Sequence, residues 1–193
     1  MSEIQVTVPL DERTAISLKA GNIVRLSGLL YTARDAAHKR LIEDLQDGES
    51  PPIPLIDQVI YYVGPAPARE DQVIGAAGPT TSGRLDPYTL PLLALGVRGF
   101  IGKGYRSSEI KQALVKHRAV YMAAVGGAAA LLSQHIVKSR IVTYADLGPE
   151  AIRELVVENF PVIVVNDCHG GDAYEAGRSI YAGKSGEIFE DSG

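Results

Sequence analysis

The predicted strands and helices alternate along the second half of the chain, and this alternation restricts the possible folds more than any other feature. The predicted elements from residue 86 onward are helices over 87–95, 108–117, 128–137 and 149–158 and strands over 97–101, 119–125, 141–144 and 161–167. A strand that is followed by a helix and then by another strand is typical of a parallel or mixed sheet with helices packed on it. We therefore predict an α/β fold with a mixed sheet.

The first half of the chain is richer in predicted strands. The patterns here indicate strands over 4–9, 23–31, 58–63 and 73–77 and helices over 14–19, capped by Asp11, and 34–46. No internal repeat is present, and 193 residues are enough to bury one sizeable core. We predict a single domain over residues 1–193 with a loosely held polar tail from about 176 to 193.

Composition and charge exclude several classes of protein. About 46% of the residues are hydrophobic and 22% are charged, which is typical of a globular protein. The net charge of −4 provides no field for holding a nucleic-acid backbone. The longest apolar stretch, Val120–Ser133, is broken by Gly126-Gly127 and is too short to span a bilayer. The first residues do not resemble a targeting peptide, so we expect a cytoplasmic protein that binds neither nucleic acid nor membrane.

The chain has one cysteine, Cys168. An intramolecular disulfide is therefore impossible, and so is a zinc or iron–sulfur site that takes several thiolates from this chain alone. The four histidines show no close pair, and we predict no metal site. Cys168 and His169 follow a predicted strand, but no pattern nearby supplies a base, so a buried thiol is favoured over a nucleophile.

Three separate segments combine cations with exposed backbone near a predicted helix start. They are Gly78-Pro-Thr-Thr-Ser-Gly-Arg84, Gly102-Lys-Gly-Tyr-Arg-Ser107 and the segment around Arg34 and Asp35. Backbone N–H groups at a helix start and nearby cations suit an anion. Helix capping, an ordinary turn and a solvated charged face explain the same three segments equally well from local sequence alone.

Longer motifs indicate a family. The segments GPTTSGRLDPY, GKGYR, VYMAAVGGAAALL, YADLGPEAI and FPVIVVND, together with GLLYTARDAAHKR, resemble the β subunits of class I iron–sulfur fumarate hydratase and of L(+)-tartrate dehydratase. The resemblance covers roughly residues 5–175 and keeps the family order. Tyr105 and the loop over 166–171 depart from the family pattern, which weakens the assignment of the substrate.

The resemblance implies a swivelling β/β/α domain and an incomplete enzyme. A separate α subunit would carry a [4Fe–4S] cluster on three cysteines, and the complex would be a dimer of α–β pairs. The implied reaction is the reversible hydration of fumarate to (S)-malate, with the open iron of the cluster acting as a Lewis acid. This chain would act only together with its α subunit, and its substrate would be a dicarboxylate.

The resemblance also implies roles for particular residues. Thr80 matches the position of the catalytic base, and the substrate-binding cations match Arg34, Arg84 and Lys103. A free threonine hydroxyl is a poor base, so Thr80 needs a charged neighbour such as Lys103 or a carboxylate from the partner. Thr81 and Ser82 are expected to shape the loop. Asp86 is expected to cap the following helix.

Three alternatives to the fumarate hydratase β subunit remain. The first is an L(+)-tartrate dehydratase β subunit, which has the same chemistry on a substrate with one more hydroxyl. The second is a non-catalytic dicarboxylate-binding or assembly subunit, although such a protein needs the cations and not the hydroxyl of Thr80. The third is a nucleotide-binding domain built on GKGYRS, which lacks the third glycine and the downstream acidic residue of that motif.

Overall fold

The computed structural model describes residues 3–124 and 128–184. The strands are β1 (Ile4–Val8), β2 (Ile23–Thr32), β3 (Val59–Tyr61), β4 (Gly99–Gly102), β5 (Val120–Ala123), β6 (Ile136–Thr143) and β7 (Ile152–Asn166). The helices are α1 (Glu12–Ser17), α2 (Asp35–Gln46), α3 (Asp86–Ala94), α4 (Ser108–Lys116), α5 (Ala129–Ser133) and α6 (Ala173–Lys184). Two short 3₁₀ helices cover Ser82–Leu85 and Ala145–Glu150.

Five strands close into a barrel-like arrangement. β2, β3, β4 and β5 lie side by side and parallel. The long strand β7 runs antiparallel to both β5 and β2 and joins the two ends of this parallel set. β1 extends the sheet as a parallel neighbour of β2, and β6 as an antiparallel neighbour of β7. The predicted α/β class with a mixed sheet is confirmed.

The short parallel strands β3, β4 and β5 are buried on both faces along almost their whole length, as their apolar sequences indicate. Tyr61, Ile101 and Met122 belong to one buried cluster, which fills the space enclosed by the strands. The neighbouring residues on the same strands belong to a second cluster, which is covered by side chains of α2, α3 and α4. Because side chains alternate between the faces of a strand, each short strand contributes to both cores.

Local signals placed most of the elements of the first half correctly. β1, β2, β3 and α2 lie within a few residues of their predicted bounds. The carboxylate of Asp11 accepts a hydrogen bond from the Thr14 backbone N–H at 2.7 Å, which confirms it as the N-cap of α1. The segment 73–77 was predicted as a strand and forms none. It faces Pro65 and Pro67, which have no N–H to donate, and the backbone joins the two segments through the bond from Ala66 to Ala76.

The predicted helix over 149–158 is wrong, because most of this segment belongs to β7. β7 pairs with β2 from Glu154 to Ile163 and with β6 over its first residues, so its backbone hydrogen bonds are made between strands. Tertiary pairing thus overrides the local preference. The predicted helix over 128–137 shortens to α5 for the same reason, because β6 begins at Ile136.

The C-terminal region differs from the predicted loose tail. α6 covers Ala173–Lys184, so the first part of the expected tail is helical. Residues 185–193, and the Gly126-Gly127 pair that marked a break in the apolar stretch, lie outside the described residues. None of the helices in the part of the chain that the structure describes is long and apolar enough to cross a membrane.

Two glycines provide a matched test of the junction between β1 and β2. Gly28 has a φ of +122° and lies against Val8, so a Cβ there would overlap the Val8 carbonyl oxygen. Gly21 has a φ of +89°, and a Cβ at that position would have no atom within 4 Å. At Gly21, therefore, only the positive φ disfavours a side chain, and no close contact does.

We expect Gly28→Ala to lower the free energy of unfolding by about 2 kcal/mol more than Gly21→Ala, because only the first adds overpacking to backbone strain. Denaturant unfolding of both variants and the wild-type chain measures the difference. Equal losses for the two variants would show that the close approach to Val8 is unimportant.

Candidate functional site

Two of the residues predicted for the site, Arg34 and Lys103, lie at the carboxyl ends of the parallel strands, and Tyr62 lies between them. Arg34 follows β2 by two residues, Tyr62 directly follows β3, and Lys103 directly follows β4. Since these strands are parallel neighbours, their carboxyl ends meet at one edge of the sheet, where ligands bind in many α/β proteins.

The loop that carries Thr80 is attached to this edge by backbone hydrogen bonds. The Thr80 N–H donates to the Tyr62 carbonyl at 2.8 Å, and the Lys103 N–H donates to the Thr80 carbonyl at 3.1 Å. The Ser82 N–H then donates to the Lys103 carbonyl at 2.9 Å. The loop therefore lies between the ends of β3 and β4 and places Thr80 beside Lys103.

The buried side chain of Ser82 attaches the loop to Tyr121 of β5. Its side chain is fully buried, and its hydroxyl donates to the Tyr121 hydroxyl at 3.0 Å, which in turn donates to the Gly104 carbonyl at 2.9 Å. Gly102 leaves the space for this hydroxyl, because a Cβ there would overlap Ser82 Oγ. The structure thus gives Ser82 a place in the architecture of the loop and no free hydroxyl for a ligand.

Thr80, Arg84 and Arg34 form one connected group. Arg84 Nη2 lies 3.5 Å from Thr80 Oγ1 and 3.1 Å from Asp35 Oδ2. The same Asp35 oxygen lies 3.4 Å from Arg34 Nε. The carboxylate of Asp35 therefore joins Arg34 to Arg84, and Arg84 joins them to Thr80, although sequence analysis gave Asp35 no role of its own. Its position directly after Arg34 was the available signal.

Arg34 is held from two further sides. Glu150 Oε1 lies 3.6 Å from Arg34 Nη2, and the other oxygen of Glu150 accepts the backbone N–H of Ala36 at 2.7 Å. Gly64 packs against the Arg34 side chain so closely that a Cβ would contact Arg34 Cδ at 2.9 Å. Glu150 therefore takes up the Ala36 N–H in the first turn of α2, and that donor is not available to a ligand.

Lys103 joins the group through its backbone. Its side chain is exposed, and among the described residues the ammonium forms no ion pair or hydrogen bond. It lines a cavity of about 240 Å³ whose other walls are mainly apolar, formed by Ala123, Ala124, Ile163, Val165, Ala173 and Tyr174. Lys103 is thus an available cation beside a largely apolar surface.

A buried ion pair below the site was missed by sequence analysis. The side chain of Arg106 is fully buried, with Nε 2.8 Å from Asp86 Oδ1 and Nη1 3.2 Å from the Tyr62 hydroxyl. The other oxygen of Asp86 accepts the Ser107 N–H at 2.9 Å. Asp86 was predicted to cap α3, and this prediction is wrong, because its carboxylate is used by Arg106 and Ser107 and the cap residue Leu85 forms no side-chain bond.

This ion pair ties together the segments that carry Thr80, Arg84 and Lys103. Asp86 lies directly after the loop containing Arg84, and Arg106 lies three residues after Lys103. A buried charge needs a partner and hydrogen bonds, so removing either Asp86 or Arg106 would strongly lower the free energy of unfolding. The ion pair therefore holds the two segments in one arrangement.

His38 lies one turn from Arg34 and is completely buried. Its Nδ1 is 2.9 Å from the Arg34 carbonyl oxygen, and its ring packs against Tyr62 and Tyr88. Burial lowers the pKa of His38 to about 4, so the ring is neutral at physiological pH and serves as part of the support for Arg34.

The described residues contain no group of three His, Cys, Asp or Glu side chains that could hold a metal ion. Cys168 is buried, and its Sγ lies 4.0 Å from the Ala15 carbonyl oxygen. Burial and the nearby Asp167 raise the pKa of the Cys168 thiol, which disfavours the thiolate. His169 Nε2 contacts the Ile16 carbonyl oxygen at 2.7 Å, so neither residue belongs to the group around Thr80.

Comparison with known proteins identifies a matching family model and several similar proteins. A family model described as the fumarase C-terminus matches residues 1–177. A protein of Methanocaldococcus jannaschii that carries the provisional name L(+)-tartrate dehydratase subunit beta is 39% identical over 172 residues, covering 86% of this chain and 88% of the relative.

Larger relatives match over a smaller share of their length. The aerobic class I fumarate hydratase of Escherichia coli K12 is 40% identical over 152 residues, covering 78% of this chain and 28% of the relative. Fumarate hydratase 2 of Leishmania major is 37% identical over 156 residues, covering 80% of this chain and 28% of the relative.

The buried, neutral His38 predicts a dependence of stability on pH. An exposed histidine has a pKa of about 6.5, so between about pH 6.5 and pH 4 the unfolded chain binds a proton that the folded chain does not. The free energy of unfolding therefore falls as the pH is lowered through this window, by about 3 kcal/mol from this residue.

We expect the loss of stability between about pH 7 and pH 4 to be ~2–3 kcal/mol smaller in His38→Gln than in the wild-type chain. Denaturant unfolding at several pH values measures both slopes, and the comparison is independent of any stability that the variant loses at neutral pH. Identical slopes would mean that His38 is not buried in its neutral form.

Proposed function

The chain belongs to the fumarase C-terminal family, and from this membership and the site geometry we propose that it is the β subunit of a two-subunit hydro-lyase acting on a four-carbon dicarboxylate. The chain spans 28% of the length of the E. coli fumarate hydratase. Our first candidate reaction is the reversible hydration of fumarate to (S)-malate. The observation that carries the proposal is the contact of Arg84 with Thr80 beside Arg34 and Lys103.

The cations match the charge of such a substrate. A dicarboxylate carries two negative charges at its ends, and guanidinium groups bind carboxylates with paired, charge-assisted hydrogen bonds. Arg84 uses Nη2 for its contacts with Asp35 and Thr80, so its other N–H groups can bind a carboxylate. We assign carboxylate binding to Arg34, Arg84 and Lys103.

Thr80 fits the role of the group that moves the proton. When malate is dehydrated, a proton leaves the carbon next to a carboxylate, and negative charge develops on that carboxylate. In its deprotonated form, Oγ1 of Thr80 would accept this proton as hydroxide leaves the neighbouring carbon. Transfer of the proton from the Thr80 hydroxyl to that hydroxide would give water and restore the deprotonated oxygen, and hydration would reverse these transfers. A threonine hydroxyl is a weak base, and Arg84 Nη2 at 3.5 Å stabilises negative charge on its oxygen. The same cations stabilise the charge that develops on the carboxylate.

The [4Fe–4S] cluster implied by the resemblance does not fit this chain. The chain has one cysteine, which is buried and has no histidine, aspartate or glutamate set around it that could complete a metal site in the described residues. We propose that an α subunit holds the cluster and that the site at this edge is completed when the two subunits meet. A swivelling β/β/α domain, a dimer of α–β pairs and a cytoplasmic location are part of the same proposal.

The second candidate reaction is the dehydration of L(+)-tartrate. It is favoured by the M. jannaschii relative, which this chain matches over 88% of its length and which carries a tartrate dehydratase name. Malate and tartrate each present two carboxylates, and tartrate has one more hydroxyl than malate. A non-catalytic dicarboxylate-binding subunit is less well supported, because such a protein has no need for a hydroxyl beside Arg84.

The direct test is anaerobic co-production of this chain with the cluster-bearing subunit of its own organism, followed by assays on malate, fumarate and both enantiomers of tartrate. We expect hydratase or dehydratase turnover from the complex and none from the isolated chain. Turnover by the pure isolated chain would contradict the two-subunit proposal. A complex that binds dicarboxylates and turns over none of them would support the non-catalytic alternative.

Thr80→Ala tests the proton-transfer role. We expect kcat of the complex to fall by about 10²- to 10⁴-fold while KM changes little, because the hydroxyl acts in the reaction step and the cations remain. Thr80→Ser is the matched control, because it keeps the hydroxyl, and most of the activity should remain. Near wild-type turnover by Thr80→Ala would remove Thr80 from this role.

Arg84→Met tests carboxylate binding, because methionine keeps an unbranched side chain without the charge. We expect KM for the dicarboxylate to rise by roughly 10- to 100-fold, since a charge-assisted hydrogen bond contributes about 1.5–3 kcal/mol. Arg40→Met is the control, since Arg40 is an arginine of α2 that pairs with Asp146 outside the site. An unchanged KM in Arg84→Met would exclude Arg84 from the substrate site.

A further inference from the structure

The carboxylate of Asp35 lies between two arginines of the proposed site. Its Oδ2 is 3.4 Å from Arg34 Nε and 3.1 Å from Arg84 Nη2. We propose that Asp35 is a positioning residue that holds Arg84 against Thr80 and keeps Arg34 and Arg84 together. This inference rests on the proposed function of the same site.

Arg84 needs such a partner to keep one orientation. Its side chain is 52% exposed and has several rotatable bonds, so an unpaired guanidinium at this position would sample many rotamers. In the described part of the chain its hydrogen-bond partners are Asp35 and Thr80, and both are reached through Nη2. Asp35 therefore directs one corner of the guanidinium toward Thr80 and leaves Nε and Nη1 open to a substrate carboxylate.

Asp35 also offsets the repulsion between two like charges. Both guanidinium groups approach the same oxygen, so they lie close to one another before any substrate is bound. Glu150 adds a second carboxylate on the far side of Arg34, at 3.6 Å from Nη2. Negative charge between the cations lowers the cost of keeping them in one site.

The same charge opposes the binding of a dianion. A carboxylate beside both arginines reduces the attraction of the site for a dicarboxylate, so its removal should leave substrate affinity unchanged or improved. Loss of the alignment between Arg84 and Thr80 should slow the reaction step. A residue with a merely structural role would instead weaken binding and turnover together, and this difference can be measured.

The experiment compares kcat and KM of the complex with wild-type chain, Asp35→Asn and Asp35→Glu. We expect Asp35→Asn to lower kcat by about 10- to 100-fold, because small misplacements of a reacting group have effects of this size, without raising KM. Asp35→Glu restores the carboxylate and should recover part of the lost kcat. Asp35 is 39% exposed, so these changes leave the core intact, and Asp35→Ser is a second variant without the charge.

Asp146→Asn is the matched control. Asp146 is an exposed aspartate that pairs with Arg40 through two hydrogen bonds of 2.8 Å and contacts neither Arg34 nor Arg84. The Asp146→Asn substitution removes one negative charge from an ion pair with an arginine outside the site, so kcat and KM should stay close to wild type. A kcat of Asp35→Asn within about twofold of wild type, which is ~0.4 kcal/mol, would overturn the proposal. A raised KM with an unchanged kcat would also overturn it.

A second measurement uses the isolated chain and needs no turnover. The Nε–H NMR signals of Arg34 and Arg84, identified by their absence in Arg34→Lys and Arg84→Lys, report the surroundings of the two guanidinium groups. Asp35→Asn should shift both signals, and Asp146→Asn should shift neither. Unchanged signals in Asp35→Asn would overturn the proposal. An inactive wild-type complex would contradict the proposed function, while this measurement would still decide the role of Asp35.

Discussion

The antiparallel pairing of β7 with β2 is the constraint on which the rest of the structure depends. It runs from Glu154 to Ile163 on one side and from Ile23 to Tyr31 on the other, and it closes the five strands into a barrel. Closure buries Phe160 in the enclosed core together with the side chains of the parallel strands. Without this pairing the parallel strands would form an open sheet with an exposed edge. With it, their carboxyl ends stay at one side, where the cations and Thr80 meet.

Charge balance explains how this edge of the sheet can hold several cations in a folded chain. Asp35 and Glu150 form ion pairs with Arg34, Asp35 also pairs with Arg84, and Asp86 pairs with the buried Arg106. The Arg106 pair is buried and acts on the architecture, because an unpaired charge there would be costly. The pairs around Asp35 are partly exposed and contribute little to stability. They can therefore determine orientation while leaving donors open to a ligand.

Agreement between sequence and structure is closest where an element depends on local signals. The Asp11 cap, the helix from Asp35 to Gln46 and the short apolar strands were predictable from capping residues and hydrophobic periodicity. Predictions failed where a distant partner decides the conformation. The segment 149–158 has helix-forming residues, yet it lies between β2 and β6, and those strands take its hydrogen bonds. Asp86 similarly lies at the start of a helix, but Arg106 competes for its carboxylate.

The sequence by itself determined the α/β class through its periodicity, and its motifs in their order determined the resemblance to a family. The candidate residues Arg34, Thr80, Arg84 and Lys103 follow from that resemblance. Only the tertiary structure decided that Asp35 links Arg34 to Arg84, that Arg84 contacts Thr80, and that Glu150 and Arg106 support this group. Asp35 and Arg84 are 49 residues apart, and Arg34 and Glu150 are further apart still. Contacts between such distant residues depend on how the barrel closes, and no local pattern of residues contains that information.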